Sequence, residues 1–218
     1  MLISMEKCVK TNGAKFKGVI HIGAHLGEEC ESYRNNEIKN VIWVEANHKL
    51  MDSLKELTEL LVPPEDNVMN QIFFNEVLTS KDNETIKFNI TNNNQSSSIL
   101  ELGTHKDYYP HITIVETVEL KSKRFDTIVK NENIDMNLYD FINLDVQGAE
   151  LEVLKGFGDI LNNSNIKAIY TEINLEELYI GAPKLEELKK FLENYGFEMV
   201  LLETVPQQWG DALFLRKK

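Results

Sequence analysis

Along the chain, short runs rich in Val, Ile, Phe and Tyr alternate with stretches whose apolar residues recur at helical spacing. That alternation is the signature of strands joined by helices in an α/β fold. The first run, Gly18 to Ile22 (GVIHI), enters a glycine turn, Gly23-Ala24-His25-Leu26-Gly27, and the spacing predicts a helix opening with Glu28 and Glu29. Acids there suit the positive end of a helix dipole. Asn40 to Glu45 (NVIWVE) predicts a second strand, followed by a helix from His48 to Leu61 on which Leu50, Leu54, Leu57 and Leu61 share a face, ended by Pro63 and Pro64. Asn70 to Thr79 and Glu84 to Thr91 flank Ser80-Lys81-Asp82-Asn83, and read as the two strands of a hairpin. Thr91 to Ser98 (TNNNQSSS) is a polar loop. Beyond it the pattern predicts a strand over Ile112 to Lys121, a short helix over Phe125 to Lys130, a strand over Tyr139 to Asp145 and a helix over Glu150 to Lys155. Ile166 to Glu172 repeats the layout of strand then acid. Pro183 to Tyr195 is an amphipathic helix with Pro at its start and Gly196 after its end, and Phe197 to Glu203 with Ala212 to Arg216 close the chain as an antiparallel pair.

Composition narrows the class. The 218 residues are 42% apolar and 27% charged, enough for a real core and against overall disorder. No repeat is visible, and one domain over residues 1–218 is the simplest reading, either whole or as one domain of a larger glycan-building protein. With 23 Lys and Arg against 35 Asp and Glu the net charge is −12, the wrong sign for a nucleic-acid partner. The sequence offers no apolar run long enough for a membrane span and no signal-peptide core, so a cytoplasmic location is expected. Cys8 and Cys30 are too few for a disulfide framework or a cysteine zinc site, and read as reduced, half-buried thiols.

Chemistry collects at one rim. In an open parallel sheet, ligands sit beyond the carboxyl ends of the strands, and here those ends carry Gly23 to Gly27, Glu45, Asp145 and Glu172. A glycine turn lets backbone approach a ligand, and an acid about 20 residues on accepts the hydroxyls of a ribose. Glu45 stands 22 residues after Gly23, as nucleoside binding requires. The spacing departs from the G-x-G-x-x-G of nicotinamide cofactors, and Glu28 and Glu29 oppose a docked pyrophosphate, so NAD is the rival and a cationic, phosphate-free cofactor such as S-adenosylmethionine the better fit.

Six segments then resemble one family. Val19 to Glu28 (VIHIGAHLGE), Val44-Glu45-Ala46-Asn47, the loop Gln95 to Ile99 (QSSSI), Phe141 to Glu150 (FINLDVQGAE), Thr171 to Asn174 (TEIN) with Tyr179, and Gly210 to Phe214 (GDALF) are similar, in this order, to the FkbM family of methyltransferases. The likeness runs from about Lys17 to Arg216. It implies a three-layer Rossmann-like class I methyltransferase fold: a mostly parallel seven-stranded sheet with a C-terminal antiparallel hairpin, here with an extra β-hairpin insertion. It also implies transfer of a methyl group from S-adenosylmethionine to a hydroxyl, often on a sugar. One position departs: the start of the glycine motif, commonly Asp in such enzymes, is His21.

Carried over residue by residue, the resemblance implies that Gly23, Ala24, His25 and Gly27 line the methionine and ribose. Glu45 would hold the ribose hydroxyls and Ala46 and Asn47 the adenine edge, bordered by Asn75, Glu76 and Val77. Methyl transfer to a sugar hydroxyl needs a group that takes up the proton. Asp145, Glu172 and Asn174 are the candidates for base or hydroxyl-orienting roles, Asp145 also touching the cofactor. The same three oxygens are a possible Mg²⁺ set. Ser97, Ser98, Gln147, Tyr179 and Trp209 are candidate acceptor contacts, although aromatic residues such as Tyr179, Tyr108, Tyr109 and Trp209 more often serve packing. Glu150 reads as a structural acid of a first helical turn, and His48, His105 and His111 as ordinary histidines. The expected partner is a carbohydrate or glycan acceptor. The alternatives are a non-catalytic module partnering a glycosyltransferase and a methyltransferase of a non-sugar metabolite.

Overall fold

A computed structural model describes residues 1–63 and 68–217. Helix α1 (Met5–Asn12) precedes β1 (Gly18–Ile22), α2 (Cys30–Asn35), β2 (Asn40–Val44), α3 (Met51–Leu61) and β3 (Asn70–Phe74). After β4 (Val77–Leu78), β5 (Thr85–Thr91), α4 (His105–Tyr108), β6 (Ile114–Lys123) and α5 (Phe125–Asn131), the chain returns as β7 (Phe141–Leu144), α6 (Glu150–Gly156), β8 (Ala168–Asn174), α7 (Leu185–Asn194), β9 (Phe197–Thr204) and β10 (Trp209–Arg216).

Seven strands form one sheet in the order β3-β2-β1-β7-β8-β10-β9, parallel except for β10, which runs antiparallel to both neighbours. Every residue of β1, β2, β7 and β8 is buried, which is why these strands read as continuous apolar runs. Ile20, Ile22, Ile142 and Leu144 project to one face, under Phe125 of α5, Leu154 of α6 and Leu188 and Leu192 of α7. Val19, Val41, Trp43 and Phe141 project to the other, under Cys8 of α1, Tyr33 of α2 and Leu54 of α3. Helix–sheet–helix layering follows directly from strands that are apolar on both sides.

Chain order reverses between β1 and β7. The first three strands step outward one way and the later ones the other, so the loops after β1 and β7 splay apart and leave a crevice at the strand ends.

Three expectations change and one element is new. Asn70 to Thr79 and Glu84 to Thr91 are not a hairpin: β3 is a parallel edge strand on β2, while β5 pairs antiparallel with β6 and β4 adds parallel to β6 in a separate three-stranded sheet. The extra antiparallel ribbon is therefore β5–β6. The break at Asn75-Glu76 has no Gly or Pro to mark it, whereas Ser80–Asn83 imitates a hairpin turn. Secondly, α2 begins at Cys30, leaving Glu28 and Glu29 in the preceding turn. Thirdly, the N-terminal stretch folds as α1, capped by the Ser4 side chain and by Gly13 in the left-handed conformation. Finally, Cys8 and Cys30 are free thiols as expected, but wholly buried, and burial pushes them up to about 12 and about 11. Pro64, expected with Pro63 to end α3, lies outside the described residues.

Candidate active site

The crevice at the reversal point opens into a cavity of about 620 Å³. Its base is the glycine turn after β1. Gly23 adopts φ 82°, and a Cβ there would lie 1.7 Å from the carbonyl oxygen of Asp145, so this position admits glycine alone while β1 and β7 stay paired. His25 follows in the left-handed region at φ 47°, with its ring paired to Glu28 at 2.6 Å. Burial draws its pKa down, but the Glu28 hydrogen bond and the charges of Glu28, Glu45 and Asp145 outweigh it and hold the imidazole above its ordinary value. Burial likewise opposes ionisation of Glu28, yet the His25 bond wins and brings this carboxyl down to about 2.

Glu45 closes this side. Its Oε2 accepts from His25 N at 2.8 Å and its Oε1 from Asn47 N at 2.7 Å, so one carboxylate fixes both loops. Burial raises its pKa against the pull of these bonds. Asn75 Nδ2 donates to the carbonyls of Glu45 and Ala46 at 2.8 and 3.3 Å, which holds the turn after β2 from behind.

Across the cavity, Gln147 sits at φ 55° and donates through Nε2 to Asp145 Oδ1 at 2.7 Å and Glu172 Oε2 at 3.0 Å. Its Oε1 accepts from the Tyr179 hydroxyl. One amide thus joins a carboxyl exposed to the cavity, Asp145, to a buried one, Glu172. Desolvation within the cavity first, then Asp211 and Glu29, push Asp145 up to about 6. Burial first, then Asp145, Glu150 and Asp211, push Glu172 well above the usual carboxylate range. Such a coupled pair holds a proton more tightly than two separate carboxylates would.

These features, a glycine turn at the reversal point, an acid after β2 and paired acids after β7 and within β8, lie inside a region, residues 21–199, that matches the model of the Methyltransferase FkbM domain. The chain belongs to the FkbM methyltransferase family. Solved methyltransferases share its fold. The methyltransferase domain of bacterial CtHen1-C superposes with a TM-score of 0.52 at 10% identity, over 97% of this chain and 94% of that one. An O-methyltransferase from Bacillus cereus in complex with SAH gives 0.51 at 14% identity, over 96% and 77%. Magnesium protoporphyrin IX methyltransferase from Synechocystis PCC 6803 with bound SAM gives 0.50 at 11% identity, over 91% and 69%. No curated protein matches the sequence significantly.

In this FkbM methyltransferase the cavity brings together Gly23, Ala24, His25, Glu45, Ala46, Glu76 and Val77 on one side, and Ser97, Asp145, Gln147, Glu172, Tyr179 and Trp209 on the other. Five anticipated residues stand behind it. Gly27, at φ 75°, faces α3, where a Cβ would lie 2.4 Å from Thr58 Cγ2. Asn47 and Asn75 brace Glu45 and its loop, and Ser98 donates to the Gln147 carbonyl at 2.8 Å. Asn174 is 1% exposed with both side-chain polar atoms unpartnered, and does not line the cavity. The Mg²⁺ set Asp145, Glu172 and Asn174 therefore does not converge on the cavity, and among the described residues no three His, Cys, Asp or Glu side chains form a metal cluster.

Other lining residues carry no motif in the sequence. His105, from the short helix α4, is buried between the rings of Tyr109 and Tyr179, with centroids at 5.0 and 5.4 Å, and Tyr109 accepts from Trp209 Nε1 at 3.0 Å. Tyr179 and Tyr109 therefore line the site and pack within it at once, while Tyr108 is exposed and donates to Glu176. His48 is exposed. His21 packs on Trp43 and its Nδ1 is 3.1 Å from the Tyr33 hydroxyl, which accepts from Asn143 Nδ2 at 2.6 Å. Burial lowers its pKa, so a neutral ring occupies the place of the usual acid. Glu150 is structural, as expected: its Oε1 accepts from Val146 N and Gly148 N at 3.2 and 3.1 Å.

Proposed function

We propose that the protein is an S-adenosylmethionine-dependent O-methyltransferase whose acceptor is a sugar hydroxyl on a glycan or glycoside. The observation that carries this reading is the Asp145–Gln147–Glu172 bridge, which sets a proton-accepting pair across the cavity from Glu45.

The residues fit the cofactor. A carboxylate has about four lone-pair sites, and Glu45 commits one per oxygen to His25 N and Asn47 N, which leaves acceptors for the two ribose hydroxyls. Gly23 and Ala24 offer backbone at close approach, and Ala46, Glu76 and Val77 give the adenine a wall. When bound, S-adenosylmethionine supplies a methyl group on a cationic sulfur, an electrophile for in-line attack.

The chain's own work is to orient the hydroxyl and take its proton. A base is most useful when its pKa lies near the working pH, and Asp145, brought to about 6 within the cavity yet open to an acceptor there, meets that condition. Gln147 holds the Asp145 oxygen in place and, through Tyr179, ties it to the wall where the acceptor would sit. Glu172, pushed well above the usual carboxylate range by burial and by the Asp145 charge, resists forming a second negative charge beside it. The amides and hydroxyls of Asn93, Asn94 and Ser97, with the rings of Tyr109, Tyr179 and Trp209, form the mixed polar and aromatic lining that suits a sugar.

The test is turnover: the protein, S-adenosylmethionine and a panel of glycosides, with the methyl ether read by mass spectrometry. Methylation of one or more glycosides, lost in Asp145→Asn, is the expected outcome. Saturable cofactor binding with no methylation of any sugar would instead favour a non-catalytic module or a non-sugar acceptor.

A further inference from the structure

The form in which the sugar arrives is also written in the cavity. Proteins that bind diphosphates use Lys or Arg and free backbone N–H groups at helix N-termini. The first are missing from the lining and many of the second are engaged. Among the described residues the cavity is lined by seven carboxyl groups, including Asp145, Glu172 and Asp211, and by no Lys or Arg. Lys123, bonded to the lining residue Glu76, is neutralised by it.

Five backbone donors at the turns are engaged as well, which is a separate observation. Glu45 takes the N–H groups of His25 and Asn47, Glu28 takes that of Leu26 at 3.3 Å, and Glu150 takes those of Val146 and Gly148. The turns after β1, β2 and β7 are thus each held by a side-chain carboxyl; the first two face the cofactor, and the third, beside Asp145, is the one an acceptor diphosphate would meet. Two lining residues keep unpartnered buried atoms of neutral character: Asn143 Oδ1, an acceptor for a hydroxyl, and His105 Nδ1. Both residues are at least 95% buried.

We propose that this site accepts an uncharged glycoside and rejects nucleoside-diphosphate sugars, so that methylation follows transfer of the sugar from its nucleotide carrier. The inference rests on the sugar O-methyltransferase reading. The reaction that supplies the acceptor is then a glycosyl transfer. In it the anomeric carbon exchanges its bond to the diphosphate oxygen for one to a hydroxyl oxygen of an aglycone or glycan, while the nucleoside diphosphate leaves and the hydroxyl proton passes to a base. In the methylation step the hydroxyl oxygen gains the methyl, the sulfur–carbon bond breaks, and the proton goes to the carboxyl pair.

The experiment offers each sugar in two forms: methyl rhamnoside against dTDP-rhamnose, methyl fucoside against GDP-fucose, and methyl glucoside against UDP-glucose. Release of S-adenosylhomocysteine and the methyl ether are measured, and calorimetry tests UDP against protein loaded with S-adenosylhomocysteine. Several kcal/mol of like-charge juxtaposition corresponds to a kcat/KM for the nucleotide form lower by about 100-fold or more, and UDP should give no heat. Equal or better turnover of any nucleotide form, or micromolar binding of UDP, overturns the inference and leaves the O-methyltransferase reading intact. Turnover of neither form in any pair overturns the sugar reading and this inference with it.

Discussion

Replacing Glu150 by Gln should stabilise the protein at pH 8 and leave its stability near pH 4.5 almost unchanged. The Glu150 carboxyl is 1% exposed, and burial pushes it from 4.5 up to about 7, in spite of the backbone N–H groups of Val146 and Gly148 that it accepts. Between those two values the folded chain holds a proton that the unfolded chain has lost. Stability is therefore highest below about pH 4.5 for this group and falls as pH rises to about 7. A shift of this size, at 1.36 kcal/mol per unit, costs up to about 3 kcal/mol above pH 7. Gln at the same place keeps an oxygen for both N–H groups and carries no charge to desolvate. Urea unfolding of both proteins at the two pH values measures the difference, with a gain of about 1–3 kcal/mol expected at pH 8 after allowing for the weaker bonds to a neutral amide. A variant less stable than wild type at pH 8 would refute the reasoning, because Glu150 would then be serving as an ionised cap.

Four further outcomes are expected. Methyl transfer should fall as pH drops through about 6, where Asp145 takes up its proton, and Gln147→Ala should lower kcat by about 10–100-fold with little change in cofactor affinity; an unaltered kcat would remove the bridge from the mechanism. His21→Asp should lower the urea midpoint, because it places an unpaired carboxylate beside Trp43 and breaks the contact with Tyr33, at a cost of about 2–4 kcal/mol. An unchanged midpoint with tighter cofactor binding would instead mean that the position serves the ligand directly. Cys8 and Cys30, wholly buried and held up at about 12 and about 11, should resist Ellman's reagent at pH 8 until urea unfolds the chain; rapid labelling of the native protein would contradict their placement.

Local signals made the main sheet readable. β1, β2, β7 and β8 are buried on both faces and are mostly apolar, so the acids at or near their ends, Glu45, Asp145 and Glu172, stand out against them. The segment from Asn70 to Lys123 was harder, since the pairing of β5 with β6 spans a long connection and depends on side chains meeting from distant parts of the chain. In the site, Gly23, Glu45, Asp145 and Glu172 were legible because a turn or a strand end fixes their position. Gln147 was named for its sequence, but its role depends on the left-handed backbone that turns its amide between two carboxyls. His105, Asn143 and Asp211 had no such local mark and reach the cavity through tertiary packing. Asn174 shows the opposite case: two residues beyond Glu172 on the same strand, it is nevertheless sealed behind the wall.

The most direct measurement is calorimetric titration of the protein with S-adenosylmethionine and S-adenosylhomocysteine, beside Glu45→Ala and with NAD as control. The account predicts one saturable site for both sulfur nucleosides, weakened by about tenfold or more in a folded Glu45→Ala, whose paired hydrogen bonds to the ribose are lost, and no heat from NAD. Failure of the wild-type protein to bind either sulfur nucleoside would contradict it.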